Sequence, residues 1–137
     1  FGTTQTAVKR LLPQLPLRCN PCGDETLYWL ESEREPAAGQ ALPDCLFLAG
    51  FDPLMLGYEK KQNIFLPQTY LRGIFSLSGI VMPPVLLHGA VTGRWKRSGK
   101  RLQITMFRPF TPEERRSAEQ AAERIWGDAV KLVWLDA

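Results

Sequence analysis

The fold is decided by the stretch Pro84–Phe107, which reads P-V-L-L-H-G-A-V-T-G-R-W-K-R-S-G-K-R-L-Q-I-T-M-F. Pro84–Leu87 is apolar, Ala90–Lys96 alternates loosely, and Leu102–Met106 alternates at a period of two. The segments between them have the composition of tight turns: His88-Gly89 and Arg97-Ser98-Gly99-Lys100. The stretch therefore predicts three strands joined by two turns.

The segment that follows predicts one amphipathic helix and a last strand. Thr111 can cap the helix, Pro112 suits its first position, and Glu114 completes a capping box. An apolar face then recurs at helical spacing: Ala118, Ala121, Ala122, Ile125 and Trp126. Gly127 ends the helix, and Val130–Leu135 is a β run.

The segments before the central stretch are shorter. Cys45–Leu48 predicts a strand, and Pro53–Tyr58 predicts one helical turn ending at Gly57. Ile74–Leu77 and Gly79–Met82 have strand composition. We read four tryptophans as core residues: Trp29, Trp95, Trp126 and Trp134.

The N-terminal part predicts a helix followed by a β-hairpin. The helix begins at Thr3 or Thr4 and is interrupted by Pro13. The strands are Leu17–Cys19 and Thr26–Glu31, around the turn Asn20-Pro21-Cys22-Gly23-Asp24. A winged-helix module ends with this order of elements. The polar segment that follows predicts a linker. We therefore predict residues 1–35 as the end of a winged helix, 36–44 as a linker, and 45–137 as a barrel-like domain.

The fold class predicted from these elements is α+β. It is a β-rich small barrel or curved antiparallel sheet with one C-terminal amphipathic helix, preceded by the end of a winged-helix module. At 137 residues, the chain is long enough for one domain, or for one domain and part of another. Because it does not begin with Met, we expect it to be a piece of a longer protein.

The charge distribution points to a polyanionic partner. The net charge is only +3, but residues 62–112 contain seven basic residues and no acidic one. Such a block creates a local positive potential, which suits phosphate groups. The candidate DNA-binding residues are Arg72, Arg94, Lys96, Arg97, Lys100 and Arg101. The alternative is a solvated sheet edge on which the charges prevent edge-to-edge pairing.

The residues offer little for catalysis or metal binding. Cys19 and Cys22 have the spacing of a zinc knuckle, but the remaining candidate ligands are only Cys45 and His88, so we predict no metal and no cofactor. Asp52 before Pro53 fits a turn or a helix cap. No apolar run is long enough to cross a membrane, and the odd cysteine count fits a reducing compartment, so we predict a cytoplasmic protein without a membrane partner.

From about residue 46 to residue 126, the order of motifs resembles the winged-helix DNA glycosylases typified by AlkZ and YcaQ. The first motif is Leu48–Tyr58, which reads L-A-G-F-D-P-L-M-L-G-Y. The next is Gly79–Leu87, followed by the short-turn segment His88–Arg97 with its Gly-x-Trp element. Phe107–Pro112 and the helix close the pattern.

The resemblance implies tandem winged helices followed by a C-terminal barrel-like domain in a protein that excises alkylated or crosslinked bases from DNA. It implies that this chain is the C-terminal part, with double-stranded DNA and the N-terminal winged-helix portion as partners. The family's catalytic glutamine–apolar–glutamine motif is absent from these 137 residues. We therefore predict no catalytic residue here, no activity for this region alone, and glycosylase activity for the longer protein.

Three functions remain open from the sequence. The first is a DNA-binding region that contacts the phosphate backbone through the basic hairpin. The second is a structural scaffold that packs on the winged helices, with the basic hairpin against their acidic surfaces. The third is an RNA-binding barrel module.

Overall fold

The computed structural model describes residues 4–22, 25–31 and 42–137. The chain divides into two compact units, Phe1–Ala41 and Leu42–Ala137. Most of the predicted linker, and the tip of the predicted N-terminal turn, lie outside the described residues. The first unit holds α1 (Gln5–Leu11), β1 (Leu17–Cys22) and β2 (Glu25–Leu30). The second holds β3 (Cys45–Phe47), α2 (Pro53–Leu56), α3 (Leu71–Ile74), β4 (Pro84–Leu87), β5 (Ala90–Ser98), β6 (Arg101–Met106), α4 (Pro112–Trp126) and β7 (Lys131–Asp136).

The first unit is a short helix followed by a hairpin. The Thr4 hydroxyl accepts a hydrogen bond from the Ala7 backbone N–H at 3.3 Å, and a 3-10 turn containing Pro13 ends the helix. β1 and β2 pair antiparallel from Leu17–Leu30 to Cys22–Glu25. The prediction that Trp29 is a core residue is wrong within this unit, because its side chain is 44% exposed. A hairpin of two strands buries little side-chain surface by itself.

The second unit is built on an open five-stranded sheet in the order β3-β4-β5-β6-β7. All neighbouring strands are antiparallel except β6 and β7, which are parallel. The α+β prediction is confirmed. Of the two predicted architectures, a small barrel or a curved sheet, the structure has the sheet, and the barrel is not closed. The parallel pair was not predicted. It arises because α4 carries the chain back along the sheet before β7 begins, as parallel neighbours require.

The central stretch forms its three strands as predicted. His88 and Gly89 both have positive φ, 49° and 81°, which is the pattern of a type I′ hairpin turn. The second loop is shorter than predicted, since Ser98 pairs with Arg101 and only Gly99 and Lys100 lie between the strands. Arg97 and Arg101 therefore belong to strands, where their side chains take opposite faces.

Helix α4 covers one face of the sheet. The capping box is present, since the Thr111 hydroxyl accepts from the Glu114 N–H and the Glu114 carboxylate accepts from the Thr111 N–H. The main core cluster joins the helix to the strands: Cys45, Val85, Leu87, Leu102, Ile104, Met106, Phe110, Ala118, Ala121 and Ala122. Small side chains on α4 allow the helix to approach the sheet closely.

A second core cluster lies around α2 and α3. Its buried residues are Met55, Leu66, Ile74, Phe75, Val81, Leu86 and Val91. The strand prediction for Ile74–Leu77 is wrong, because Ile74 ends α3 and only Phe75 pairs, in one bridge with Val81. The segment 76–80 is instead a tight turn with Gly79 at a φ of 84°. In the described part of the chain, every helix is too short or too polar to cross a membrane.

Candidate nucleic-acid interface

The side of the sheet away from α4 collects basic side chains from three strands. In β5, Trp95 pairs with Ile104, a buried residue of the helix-side core, so the alternate residues Arg94 and Lys96 point the other way. Arg94 pairs with Thr105 and Lys96 pairs with Gln103, so Thr105 and Gln103 of β6 lie on this side too. The alternation of β6 then places Arg101 on the same side. The parallel register then adds Lys131 beside Arg101. We call Arg94, Lys96, Arg101 and Lys131 the basic face.

The basic face has no carboxylate among its strand neighbours. β5, β6 and β7 carry one acidic residue, Asp136, and its register partner Met106 belongs to the helix-side core. Lys96 and Arg101 are exposed, and Arg94 is half-buried. A cleft of about 200 Å³ on this face is lined by Met82, Arg94, Trp95, Lys96, Gln103 and Thr105. Cations with neighbouring amide and hydroxyl groups are donors suited to phosphate oxygens.

Arg97 is separated from the basic face although it lies between two of the candidate residues in sequence. Its partner Leu102 is on the helix side, and its guanidinium lies over the Trp126 ring at 5.9 Å. The Arg97 Nε also donates a hydrogen bond to the Gly99 carbonyl at 3.0 Å. This arrangement holds the side chain against the hairpin and the helix, as expected for a cation–π contact.

The remaining two candidate residues lie beside the basic face. Lys100 is exposed in the two-residue loop at the tip of the hairpin. Arg72 is exposed on α3, and the neighbouring Gly73 carbonyl accepts a hydrogen bond from the Arg94 guanidinium at 3.3 Å. That bond joins α3 to the middle of β5.

Trp95 is a structural residue, as predicted. Its indole N–H donates to the Leu48 carbonyl at 2.8 Å, and its ring packs against Phe47 and Trp126 with centroid distances of 6.1 Å and 5.1 Å. The indole is thus half-buried on the helix side of the sheet. The Gly-x-Trp element therefore ties the hairpin to the segment that follows β3.

Two acidic residues near the sheet, Asp52 and Glu114, make structural contacts. Asp52 caps α2, since its carboxylate accepts from the Leu54 N–H at 2.9 Å. Glu114 binds the Arg108 guanidinium through two hydrogen bonds of 2.8 Å and 2.5 Å. That charge-assisted pair lowers the pKa of Glu114 to about 2, and the backbone N–H of Thr111 contributes in the same direction.

The candidate metal ligands do not converge within the described residues. His88 is an exposed turn residue whose Nδ1 lies 3.7 Å from the Asp44 carboxylate. Cys45 is buried in the core, where desolvation raises the pKa of its thiol to about 12. Among the side chains that the structure describes, no group of three or more potential ligands comes together.

Lys131 was not among the residues predicted from the sequence. It lies outside the acid-free block, and Asp128 and Asp136 surround it in the sequence. Its position follows from the parallel pairing of β7 with β6, in which the Lys131 N–H donates to the Lys100 carbonyl at 2.7 Å. A contact between residues 31 positions apart leaves no local pattern in the sequence, so no signal was available.

The comparisons with known proteins agree with this architecture. A solved structure described as the Streptomyces sahachiroi DNA glycosylase AlkZ matches with a TM-score of 0.79 and 18% sequence identity. The match covers 97% of this chain and 38% of that chain, so this chain spans well under half of the length of its structural relative. At this identity, the match shows a shared fold. A comparison with curated proteins found no match.

A protein-family model extends the similarity beyond the motifs identified in the sequence. The model is described as DNA glycosylase AlkZ-like, and it matches residues 1–126. It therefore includes the N-terminal helix and hairpin as well as the stretch from residue 46 to residue 126, and it ends where α4 ends. Since the match covers most of the chain, the protein belongs to the AlkZ-like DNA glycosylase family.

Proposed function

We propose that this chain is a DNA-binding region of a DNA glycosylase and that its basic face holds the phosphate backbone of duplex DNA. The observation that carries the proposal is the register of β5, β6 and β7, which gathers Arg94, Lys96, Arg101 and Lys131 on one side of the sheet. Because the chain belongs to a DNA glycosylase family, DNA is the polyanion that we expect the basic face to bind. Lys100 and Arg72 extend the same contact at its margins.

The proposed role is to position DNA, with the chemistry performed elsewhere in a longer protein. Removal of a base requires a polar group that activates water at the sugar, next to a base held outside the stack. The carboxylates of Asp52 and Glu114 are already engaged in a helix cap and in an ion pair. Basic side chains on a sheet suit the sequence-independent contacts that fix a protein on the duplex. A cytoplasmic location and a winged-helix partner portion belong to the same proposal.

Alanine substitution of the exposed basic-face residues tests this function. We expect the triple variant Lys96→Ala, Arg101→Ala, Lys131→Ala to bind duplex DNA on the order of a hundredfold more weakly at low salt, because it loses three phosphate contacts. The slope of log affinity against log salt should fall by roughly three, since each lost phosphate contact removes about 0.9 from it. Fluorescence anisotropy with a labelled duplex, across a salt series, measures both quantities.

Arg97→Ala is the matched control, because it removes a cation from the same hairpin but from the opposite face. Its salt slope should equal that of the unmodified protein. If Arg97→Ala and the triple variant lost the same DNA affinity, the assignment of the phosphate contact to the basic face would be contradicted. Stronger binding to single-stranded RNA than to duplex DNA would instead favour an RNA-binding module.

A second candidate function is a scaffold that packs on other parts of a longer protein. The observation that favours it is the apolar surface of the hairpin in the first unit: Leu27, Tyr28, Trp29 and Leu30 are between 39% and 60% exposed. Successive side chains of a strand point to opposite faces, so both faces of the hairpin expose apolar surface that another part of a longer protein could cover. A scaffold without DNA contact would show no change in DNA affinity for the triple variant.

A further inference from the structure

The turn between α3 and β4 presents a highly exposed leucine to solvent. Leu77 is 90% exposed, the highest exposure among the large hydrophobic residues that the structure describes. Ile80, in the same turn, is 47% exposed. Serines surround Leu77 on both sides, so the side chain stands at the tip of an otherwise small and polar turn.

The turn is fixed by its own hydrogen bonds. The Ser76 N–H donates to the Ile80 carbonyl at 2.9 Å, and the Ile80 N–H donates to the Ser76 hydroxyl at 2.9 Å. The Gly79 N–H donates to the Ser76 carbonyl at 3.3 Å, and Gly79 adopts a φ of 84°. A turn closed in this way fixes the backbone position of the leucine, which lowers the backbone entropy lost when its side chain contacts a partner.

The base of the turn is anchored in the core. Phe75 and Val81 form a β-bridge directly below it and are only 4% and 3% exposed. One step further down, the Met82 N–H donates to the Ile74 carbonyl at 2.9 Å. The turn is therefore the end of a small hairpin that is rigidly attached to the second unit.

This small hairpin adjoins the basic face. Met82 lines the same cleft as Arg94 and Lys96. Gly73, just before the hairpin, accepts the hydrogen bond from the Arg94 guanidinium. The exposed leucine and the phosphate-binding cations are thus carried by connected elements, within a segment that has no acidic residue from 62 to 112.

We propose that Leu77 is an apolar wedge that enters a base step of the duplex held by the basic face. Proteins that bend or open DNA insert leucine, phenylalanine, isoleucine or methionine between stacked bases while cations hold the flanking phosphates. Leu77 supplies the apolar part, on a hairpin whose Met82 lines the cleft of the basic face, and the cations of that face supply the other part. Unstacking at the inserted step lowers the cost of moving a nucleotide out of the duplex. This inference rests on the proposed DNA-binding function and assigns a second, apolar contact to it.

Leu42 offers a contrast within the same unit. It is also highly exposed, at 81%, but it borders a groove with Asp44, Glu123 and Arg124 beside α4. Mixed charges of this kind do not attract a phosphate backbone. Leu42→Ser therefore makes the same chemical change as Leu77→Ser, at a place that lies outside the basic face and its cleft.

The test uses a duplex that carries 2-aminopurine, whose fluorescence rises when the base is unstacked. The whole protein should increase this fluorescence on binding, and Leu77→Ser should abolish most of the increase and weaken binding roughly tenfold. Leu77→Met, which keeps an apolar wedge, should retain both properties. Leu42→Ser should match the unmodified protein. The salt slope should be the same for all of these variants, since none of them removes a phosphate contact.

The outcomes separate the wedge from DNA binding itself. If the protein binds DNA and the triple basic-face variant lowers the salt slope, but Leu77→Ser behaves like Leu42→Ser, the wedge is wrong and the proposed function stands. A fluorescence increase that survives in Leu77→Ser also overturns the wedge. If the unmodified protein binds no duplex DNA, the proposed function fails and the wedge fails with it.

Discussion

Replacing Glu114 with glutamine is expected to lower the free energy of unfolding by about 2 kcal/mol at neutral pH. The carboxylate is 10% exposed at its side chain and binds both the Arg108 guanidinium and the Thr111 N–H. Glutamine keeps the shape and part of the cap but loses the charge. The Arg108 side chain, which is 38% exposed, can then recover some hydration, which keeps the loss moderate.

The same pair makes stability depend on pH in the acid range. The pKa of Glu114 falls from 4.5 to about 2 in the folded protein, mainly through the hydrogen bonds from Arg108. A lowered folded-state pKa means that the stabilisation is fully present above about pH 4.5 and is lost as the pH falls towards 2. The difference between the unmodified protein and Glu114→Gln should therefore shrink across this window.

Urea denaturation at pH 7 and at pH 3 measures this difference. Glu113→Gln is the matched control, because Glu113 also lies in the first turn of α4 but is exposed and has no ion-pair partner among the described residues. Its effect should be only a few tenths of a kcal/mol, from the helix dipole. An equal loss in the two variants, or a loss for Glu114→Gln that is unchanged at pH 3, would contradict the role of the Arg108 pair.

Replacing Gly93 with alanine should destabilise the second unit by about 3 kcal/mol. Gly93 lies in the middle strand of the sheet, paired with Val85 on one side and with Met106 on the other. A Cβ at this position would lie 2.7 Å from the Thr105 carbonyl oxygen. Because that oxygen belongs to the backbone of the adjacent strand, the strands themselves would have to move apart.

Thermal unfolding followed by circular dichroism measures the effect, and we expect the Tm to fall by roughly 12 °C or more. Gly99→Asn is the control. Gly99 has a φ of 58° in the exposed hairpin loop and open space where a Cβ would be. Asparagine tolerates such a φ, so this variant should lose at most about 1 kcal/mol. A Gly93→Ala protein as stable as Gly99→Asn would show that the sheet can widen at this position without cost.

The residues of the family-like motifs could be identified from the sequence because most of them have structural roles. Gly93 and Trp95 serve the packing of the sheet, Asp52 caps a helix, and Thr111 with Glu114 begins another. The two helix caps depend on residues two or three positions apart. Gly93 and Trp95 contact distant segments, but each role requires one residue type at one position of a strand. The family-like elements of the sequence are therefore mainly elements of the fold.

The candidate site was predicted in part. The six basic residues were identified from a charge pattern, which contains no information on the direction of each side chain. The alternation of β5 then places Arg94 and Lys96 on one face and Arg97 on the other. The prediction that the segment around Leu77 is a strand was wrong, because a Gly79 turn closed by the Ser76 hydroxyl competes successfully with extended pairing.

The sequence by itself determined the three central strands, the places of their two turns and helix α4. These features depend on periodicity, on residues that tolerate positive φ and on a capping box, all within short segments. Only the tertiary structure decided that the sheet stays open, that β7 returns parallel to β6, and that Lys131 joins Arg101 on the face away from α4. The physical reason is that pairing between distant strands is selected by the packing of a whole layer, so it leaves no pattern in any one segment.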